Sequence, residues 1–329
     1  MPIVVPRQGS GDIRSGLATI VSSSMEFGKV QDLSDIDFHL PSDPPGNAAR
    51  LSARHHPPHA ATLYIGATGW SVPEWRGTLY PARCRPDRYL FHYSRQFNTI
   101  EHNTTHYRIP EADTIRRWRE QAAPDFRFCP KVLQRISHAP DLGGRGELVG
   151  RFASALEGLG GLLGPCFLQL PPYFGPDKLP VLEQFLAHFP LPLAVELRHP
   201  DWFAIPRQWE ALTGCLADHG VATVITDVAG RRDVCHMTLT TPVVLIRFVG
   251  NDGHPSDLAR LDDWADRLAA WSGQGLRAAY FFIHSPDALH VPGLAGTFRR
   301  MLADRCPNLA LRGPTPLQPD APPEQLSLF

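Results

Sequence analysis

The chain has no pair of cysteines in C-x-x-C spacing. Its six cysteines (Cys84, Cys129, Cys166, Cys215, Cys235 and Cys306) are scattered singly, a pattern that argues against a disulfide framework or a zinc knuckle and for reduced thiols. Charge of one sign is also lacking. With 32 basic against 33 acidic residues, a formal net charge of -1 does not suit a protein that coats a polyanion over its whole surface, and leaves room for a local basic groove. No apolar run is long enough to span a bilayer. No basic head followed by an apolar stretch opens the chain, so the expected location is cytoplasmic, with no membrane partner. Apolar material is plentiful: 329 residues, 43% of them hydrophobic, can form two ordinary domains or one α/β barrel with tails.

Residues 1–60 carry little periodicity and much Ser, Pro, Gly and Asp. Ser42-Asp43-Pro44-Pro45-Gly46 continues neither a helix nor a central strand. The first two dozen residues are expected to be disordered, and Met25 competes with Met1 as the start, because pattern resumes at Phe27-Gly28-Lys29. The run His55-His56-Pro57-Pro58-His59 reads as a solvated linker ahead of a metal chelate.

From residue 62 the pattern changes. Short β-rich runs recur at Leu63–Gly66, Thr99–His102, Phe126–Cys129, Cys166–Leu170, Leu193–Leu197, Ala222–Thr226, Val243–Phe248 and Ala279–Ile283. Helix-like stretches lie between them: Arg83–Gln96, Glu111–Ala122, Leu148–Leu163, Leu179–His188, Arg207–His219, Leu258–Trp271 and Leu294–Arg305. Eight strands alternating with helices over about 250 residues are the footprint of a parallel barrel. The expected fold class is therefore α/β, a single (β/α)8 TIM-like barrel over residues 61–311 with disordered N- and C-terminal tails: an N-terminal extension over 1–60, largely disordered at least to about residue 25, and a flexible Pro-rich tail over 312–329. An open doubly wound sheet would need a glycine-rich phosphate loop after its first strand, and Gly66-Ala67-Thr68-Gly69-Trp70 is a poor match.

In such a barrel the chemistry sits at the C-terminal ends of the strands. Those ends carry Thr68 with Trp70, Glu101 with Asn103, Lys131, Gln169, Glu196 with Arg198, His199 and Trp202, Asp227, Arg247 with Asn251-Asp252, and His284. Every strand delivers a polar group to one rim. Lys131 suits an anion anchor or, if desolvated, an amine nucleophile, with the anchor favoured. The carboxylates Glu101, Glu196 and Asp227 suit acid–base work or a metal site with His284. Glu196 and Arg198 equally suit a structural ion pair. Histidine and cysteine are too sparse at the rim to define a metal set, the pattern leaves any cofactor open, and His102 faces away from Glu101 on its strand. Trp70, Trp75, Arg76, Tyr80, Tyr107, Arg108, Tyr173, His199 and Trp202 interleave aromatic faces and cations near the same rim. They fit an unstacked base or a sugar, or else loops packed on the barrel lip.

These residues resemble the motifs of the YecE-like family, catalogued as domain of unknown function 72. A Gly-Thr-Ser-Gly-Trp opening is similar to Gly66–Trp70, followed by Trp75-Arg76-Gly77 and Tyr80-Pro81. A Phe-Asn-Thr-Val-Glu-x-Asn-x-x-Phe-Tyr-Arg-x-Pro run is similar to Phe97–Pro110. Phe-Arg-Phe-x-x-Lys resembles Phe126–Lys131, with Ser137-His138 in a Thr-His slot. Gln-Leu-Pro-Pro-x-Phe resembles Gln169–Phe174, and Glu-x-Arg-His-x-x-Trp resembles Glu196–Trp202. The resemblance spans roughly residues 62–310 and implies the barrel, not a reaction. It departs in two places. An Arg-x-His-Gly run reads Arg247-Phe248-Val249-Gly250, and an Asn-Asn-His stretch reads Phe282-Ile283-His284-Ser285.

After the last helix, a Pro-rich tether ends in Gln325-Leu326-Ser327-Leu328-Phe329. This pentapeptide resembles the peptide by which bacterial polymerases and repair proteins dock on the replicative sliding clamp. Leu328 and Phe329 would fill apolar sockets, Leu326 would pack beside them, and Gln325 would hydrogen-bond at the entrance. Three functions compete at this point. One is a DNA-associated enzyme with hydrolase- or lyase-type chemistry, holding nucleotide or DNA phosphate on Lys131, Arg198 and Arg247. The second is a metabolic barrel acting on a sugar or a phosphorylated small molecule. The third is a non-catalytic adaptor tethered to the clamp.

Overall fold

The short β-branched and aromatic runs form eight parallel strands: β1 Thr62–Ala67, β2 Thr99–His102, β3 Arg127–Pro130, β4 Cys166–Gln169, β5 Leu193–Glu196, β6 Ala222–Asp227, β7 Val243–Val249 and β8 Ala278–His284. This computed structural model describes residues 27–52, 61–144 and 146–315. The Met25 start, the His55–His59 run and the Gln325–Phe329 peptide lie outside them. The strands pair in the order β3-β2-β1-β8-β7-β6-β5-β4. Between β3 and β4 the circle closes through single parallel bridges at Phe128–Leu163 and Lys131–Phe167. Backbone hydrogen bonds from Gly164 to Phe128 and from Val132 to Phe167 support that seam.

Strand alternation then sorts the side chains. Cys129, Phe167, Ala194, Ala222, Val224, Leu245, Tyr280 and Phe282 fill the lower interior, with Tyr64 stacked on Tyr280. Alternate residues face the helical shell. The circle is tight where β1 meets β2: a Cβ on Gly66 would sit 2.4 Å from the Thr99 carbonyl oxygen, so only glycine allows that approach. The Asn98 side chain accepts from Ile65 N and donates to Leu63 O, extending the β1–β2 ladder below its first paired residue.

The shell follows the expected helical stretches, several trimmed at their ends and the last two extended, by three residues at each end of Leu258–Trp271 and by four before Leu294. Before it comes a short helix, α1 Gly46–Ser52; the barrel helices are α2 Tyr89–Gln96, α3 Ala112–Gln121, α4 Glu147–Glu157, α5 Leu179–Leu186, α6 Pro206–Asp218, α7 Pro255–Gln274 and α8 His290–Arg305. Prolines set several starts, and Gly275, with φ +115°, ends α7. Between β6 and β7 the chain makes only a 3-10 turn, Arg232–Val234. Residues from the N-terminal segment cover that side instead. Asn47 bridges Met237 O and Leu239 N, Asp43 accepts from Arg267 and from Trp271 Nε1, and Phe38 lies beside Arg260.

Candidate functional site

The upper interior layer of the barrel is polar, and its residues come from the C-terminal ends of six strands. Arg247, on β7, lies at the centre. Its Nε and Nη2 donate to the two carboxylate oxygens of Glu101 on β2 (2.9 and 3.2 Å). Its Nη1 donates to both oxygens of Glu196 on β5 (3.1 and 3.0 Å). One guanidinium therefore ties opposite walls together in the bidentate geometry that arginine favours. His284 Nε2 lies 2.7 Å from Glu101 Oε2, and Asn103 donates to Glu101 Oε1. Arg198 Nε donates to Glu196 Oε1. Gln169 donates to Glu196 Oε2 and accepts from Lys131 Nζ, both at 2.8 Å. All of these except the loop residue Asn103 are buried.

Electrostatics divide the group. Burial alone would raise the Glu101 carboxyl, but Arg247 and His284 hold it well below the usual carboxylate range. Burial likewise opposes ionisation of Glu196, and Arg247 with Arg198 overcomes it. His284 is pushed down by burial despite Glu101, so a neutral imidazole donates its Nε2 proton to the carboxylate. Lys131 differs from the rest. Burial, with Arg247 nearby, pulls its ammonium down to about 8, because no carboxylate contacts it directly. Two carboxylates thus face three cations, Arg198, Arg247 and Lys131, leaving a local surplus of positive charge. Arg198 Nη2 is buried with no hydrogen-bond partner among the described residues.

Several expected rim residues converge here: Glu101, Asn103, Lys131, Gln169, Glu196, Arg198, Arg247 and His284. Their roles divide unevenly. Carboxylates held ionised this firmly are poor proton shuttles near neutrality, whereas a lysine near 8 is poised for one. His199 and Tyr107 stand at the surface of the mouth, His199 half-buried and Tyr107 47% exposed.

Three expectations need correction. Asp227 does not enter the mouth. On β6 the inward positions are Ala222, Val224 and Thr226, so Asp227 faces the shell. There it pairs with Arg232 and Arg260 and accepts from Trp264 Nε1. Trp70 turns to the outer wall and packs with His102, Trp118 and Phe128. Trp202 is fully buried and donates to Phe174 O, fastening one loop to another. Trp75 and Tyr80 likewise pack the barrel lip, with Trp75 Nε1 on Ala288 O and Tyr80 OH on Trp70 O. His102, buried on the outer wall, faces away from Glu101 as expected.

The structure adds four residues to the mouth. Thr226 takes the inward place beside Asp227, and strand alternation could have found it. His106 donates Nδ1–H to Val132 O, is pushed down to about 3 by burial with Lys131 nearby, and lies 5.6 Å from the ring of His138. The Ser137-His138 motif already marked His138. Phe27 lies over Arg198 at 4.2 Å and beside Arg231 at 5.1 Å, and no short-range pattern signalled that contact. Arg198 Nη2 and the Lys131 ammonium are cationic donors at this mouth. His106 and His284, both pushed down by burial, donate to protein acceptors.

Residues 64–320 match the family model described as "Protein of unknown function DUF72". The chain is 35% identical over 287 residues to UPF0759 protein YecE of Escherichia coli K12, covering 81% of this chain and all of that one. It is 26% identical over 181 residues to UPF0759 protein YunF of Bacillus subtilis, covering 49% of this chain and 60% of that one. Crystal structures of DUF72 family proteins share the fold. One from Enterococcus faecalis has TM-score 0.57 at 19% identity, covering 76% of this chain and 99% of that one. One from Thermotoga maritima has TM-score 0.56 at 24% identity, covering 73% and 99%.

Proposed function

The chain belongs to the DUF72 family, and from that premise we propose that its barrel mouth binds a small phosphate-bearing ligand and processes it with Lys131 as the proton-transferring group. One observation carries the reading: three buried cations face two carboxylates that are already shared, and Arg198 Nη2 has no partner among the described residues. A buried donor without an acceptor is costly unless a ligand or water supplies one. A dianionic phosphate would meet Arg198 and Lys131 without disturbing the Glu101–Arg247–Glu196 bridge. Lys131, at about 8, would then donate a proton to a leaving oxygen or remove one from an attacking water. That is hydrolase- or lyase-type chemistry.

The terminal Gln325–Phe329 sequence favours one source of phosphate, a nucleotide or damaged base on DNA reached through the sliding clamp. Against this stands a free sugar phosphate or similar metabolite. A non-catalytic clamp-tethered adaptor would bind such a ligand without turnover. Calorimetric titration with inorganic phosphate, a nucleoside monophosphate, a sugar phosphate and short single-stranded DNA distinguishes the sources. Pull-down on the clamp, with and without residues 325–329, tests recruitment separately. No heat with any phosphate-bearing probe would overturn the site assignment, and equal clamp retention without the five residues would remove the DNA reading.

A further inference from the structure

We propose that Glu183, Cys215 and His219 form a site for a single thiophilic divalent cation of the zinc class, on the outer wall of the barrel and independent of the mouth. Cys215 and His219 are four residues apart at the C-terminal end of α6, so both project from one side of the helix. Glu183 reaches the same point from α5. The ligand atoms of the three side chains all lie within 4.8 Å of one another. Among the described residues they form the one such group of histidine, cysteine and carboxylate.

Sulfur, imidazole nitrogen and carboxylate oxygen are the ligand types that Zn2+ combines, with water able to fill the fourth tetrahedral position. Ligand atoms in such a site sit about 3.3–3.8 Å apart, given metal bonds of about 2.0–2.3 Å. Closing from within 4.8 Å asks only for small rotations of the flexible Glu183 and His219 side chains. The local field also favours a cation. The Glu183 and Asp218 carboxylates beside Cys215 and the carbonyl-rich end of α6 give this corner a negative potential. The thiol gives its proton to solvent, the thiolate forms the metal–sulfur bond, and one proton is released per ion. The bound ion would bridge α5 to α6, the helices that follow β4 and β5 in the chain.

Cobalt(II) titration of the full-length reduced protein is the direct test, because a cobalt–thiolate bond gives a near-ultraviolet charge-transfer band. His55, His56 and His59 are replaced by Gln in the background so that this run cannot supply ligands. The expected result is a charge-transfer band that saturates at one equivalent, together with a higher melting temperature in Zn2+. Cys215→Ser abolishes the band, and His219→Gln weakens binding by about tenfold or more. No charge-transfer band, or one that persists in Cys215→Ser, overturns the site. Circular dichroism of both variants verifies folding, and failure here leaves the phosphate titrations at the mouth unaffected.

Discussion

Lys131 Nζ donates to Gln169 Oε1 at 2.8 Å, and Gln169 passes the contact on by donating to Glu196 Oε2 at the same distance. An amide therefore stands between the lysine and the carboxylate. The cation is buried without the direct ion pair that would hold it protonated, and this is why burial brings it to about 8.

Lys131→Met is expected to abolish phosphate binding while leaving the melting temperature unchanged or higher. Without the ammonium, Arg198 and Arg247 balance Glu101 and Glu196, and the methionine stem refills the space. The pH dependence gives a second readout. The folded pKa lies below the ordinary 10.5, so the unfolded chain binds more protons between about 8 and 10.5. The cost of burying the charge is fully present below 8, and stability gained from its relief rises through that window. Denaturant titrations from pH 7 to 10.5 should show this gain in the native protein and lose it in Lys131→Met. A parallel slope in both proteins removes the argument.

Arg247→Met should be among the most destabilising changes at the mouth, by about 3–5 kcal/mol, because it leaves buried Glu101 without a cation and buried Glu196 with Arg198 alone. In the native protein both carboxyls are held low. Their contribution is present above the unfolded carboxylate range and is lost as pH falls through the lowered folded values. Without Arg247, burial wins at Glu101 and raises its carboxyl. The deficit of the variant relative to the native protein should therefore shrink on acidification from pH 7 to 5. Urea unfolding at both pH values measures it, and an unchanged deficit contradicts the charge-balance account.

Much of the barrel could be read from the chain because each strand and helix is a local pattern. All eight strands fall within a residue or two of their expected runs, and the missing shell helix after β6 is already visible as a gap between Thr226 and Val243. The polar layer was legible where alternation was applied: Glu101 with Asn103, and Glu196 with Arg198, point inward as spacing demands. It failed at Asp227, where residue type outweighed parity; Thr226 holds the inward position and Asp227 neutralises Arg260 outside. Trp70 and Trp202 also read as mouth aromatics, but large aromatics bury more area in the shell. What no pattern reveals is contact between distant segments. Asn47 with Met237 and Phe27 with Arg198 depend on the path of the N-terminal segment.

Asp227→Asn consequently tests structure rather than catalysis. It removes a negative charge shared by Arg232 and by Arg260, which is itself fully buried. Asp257 still pairs with Arg260, so the expected loss is about 2–4 kcal/mol rather than unfolding. Phosphate affinity of the folded fraction should stay within twofold or so, about the spread expected of a residue with no ligand contact. Thr226→Val should show the reverse, with little change in stability and weaker ligand binding. If Asp227→Asn instead leaves stability intact and abolishes binding, the outward assignment is wrong.

Phe27 supplies the last prediction, because its ring covers the guanidinium that is offered as the anion donor. The ring lies 4.2 Å from Arg198 Cζ. It is held there by backbone: Gly28, at φ +72°, accepts from Gly230 N at 2.8 Å, and a Cβ on Gly230 would come within 2.7 Å of that carbonyl. A cation–π contact of this kind is worth about 0.5–2 kcal/mol, and the ring also keeps water from Arg198, which strengthens any charge contact beneath it. Phe27→Ala should weaken phosphate binding by about three- to tenfold, mainly through faster dissociation, with little change in melting temperature. Phe27→Leu separates the two contributions, since leucine restores the cover without the π face. Recovery in the leucine variant assigns the effect to water exclusion, and continued weakness assigns it to the cation–π contact. Tighter binding in Phe27→Ala would mean that the ring obstructs the mouth, and the reading of Phe27 as part of the site would fall.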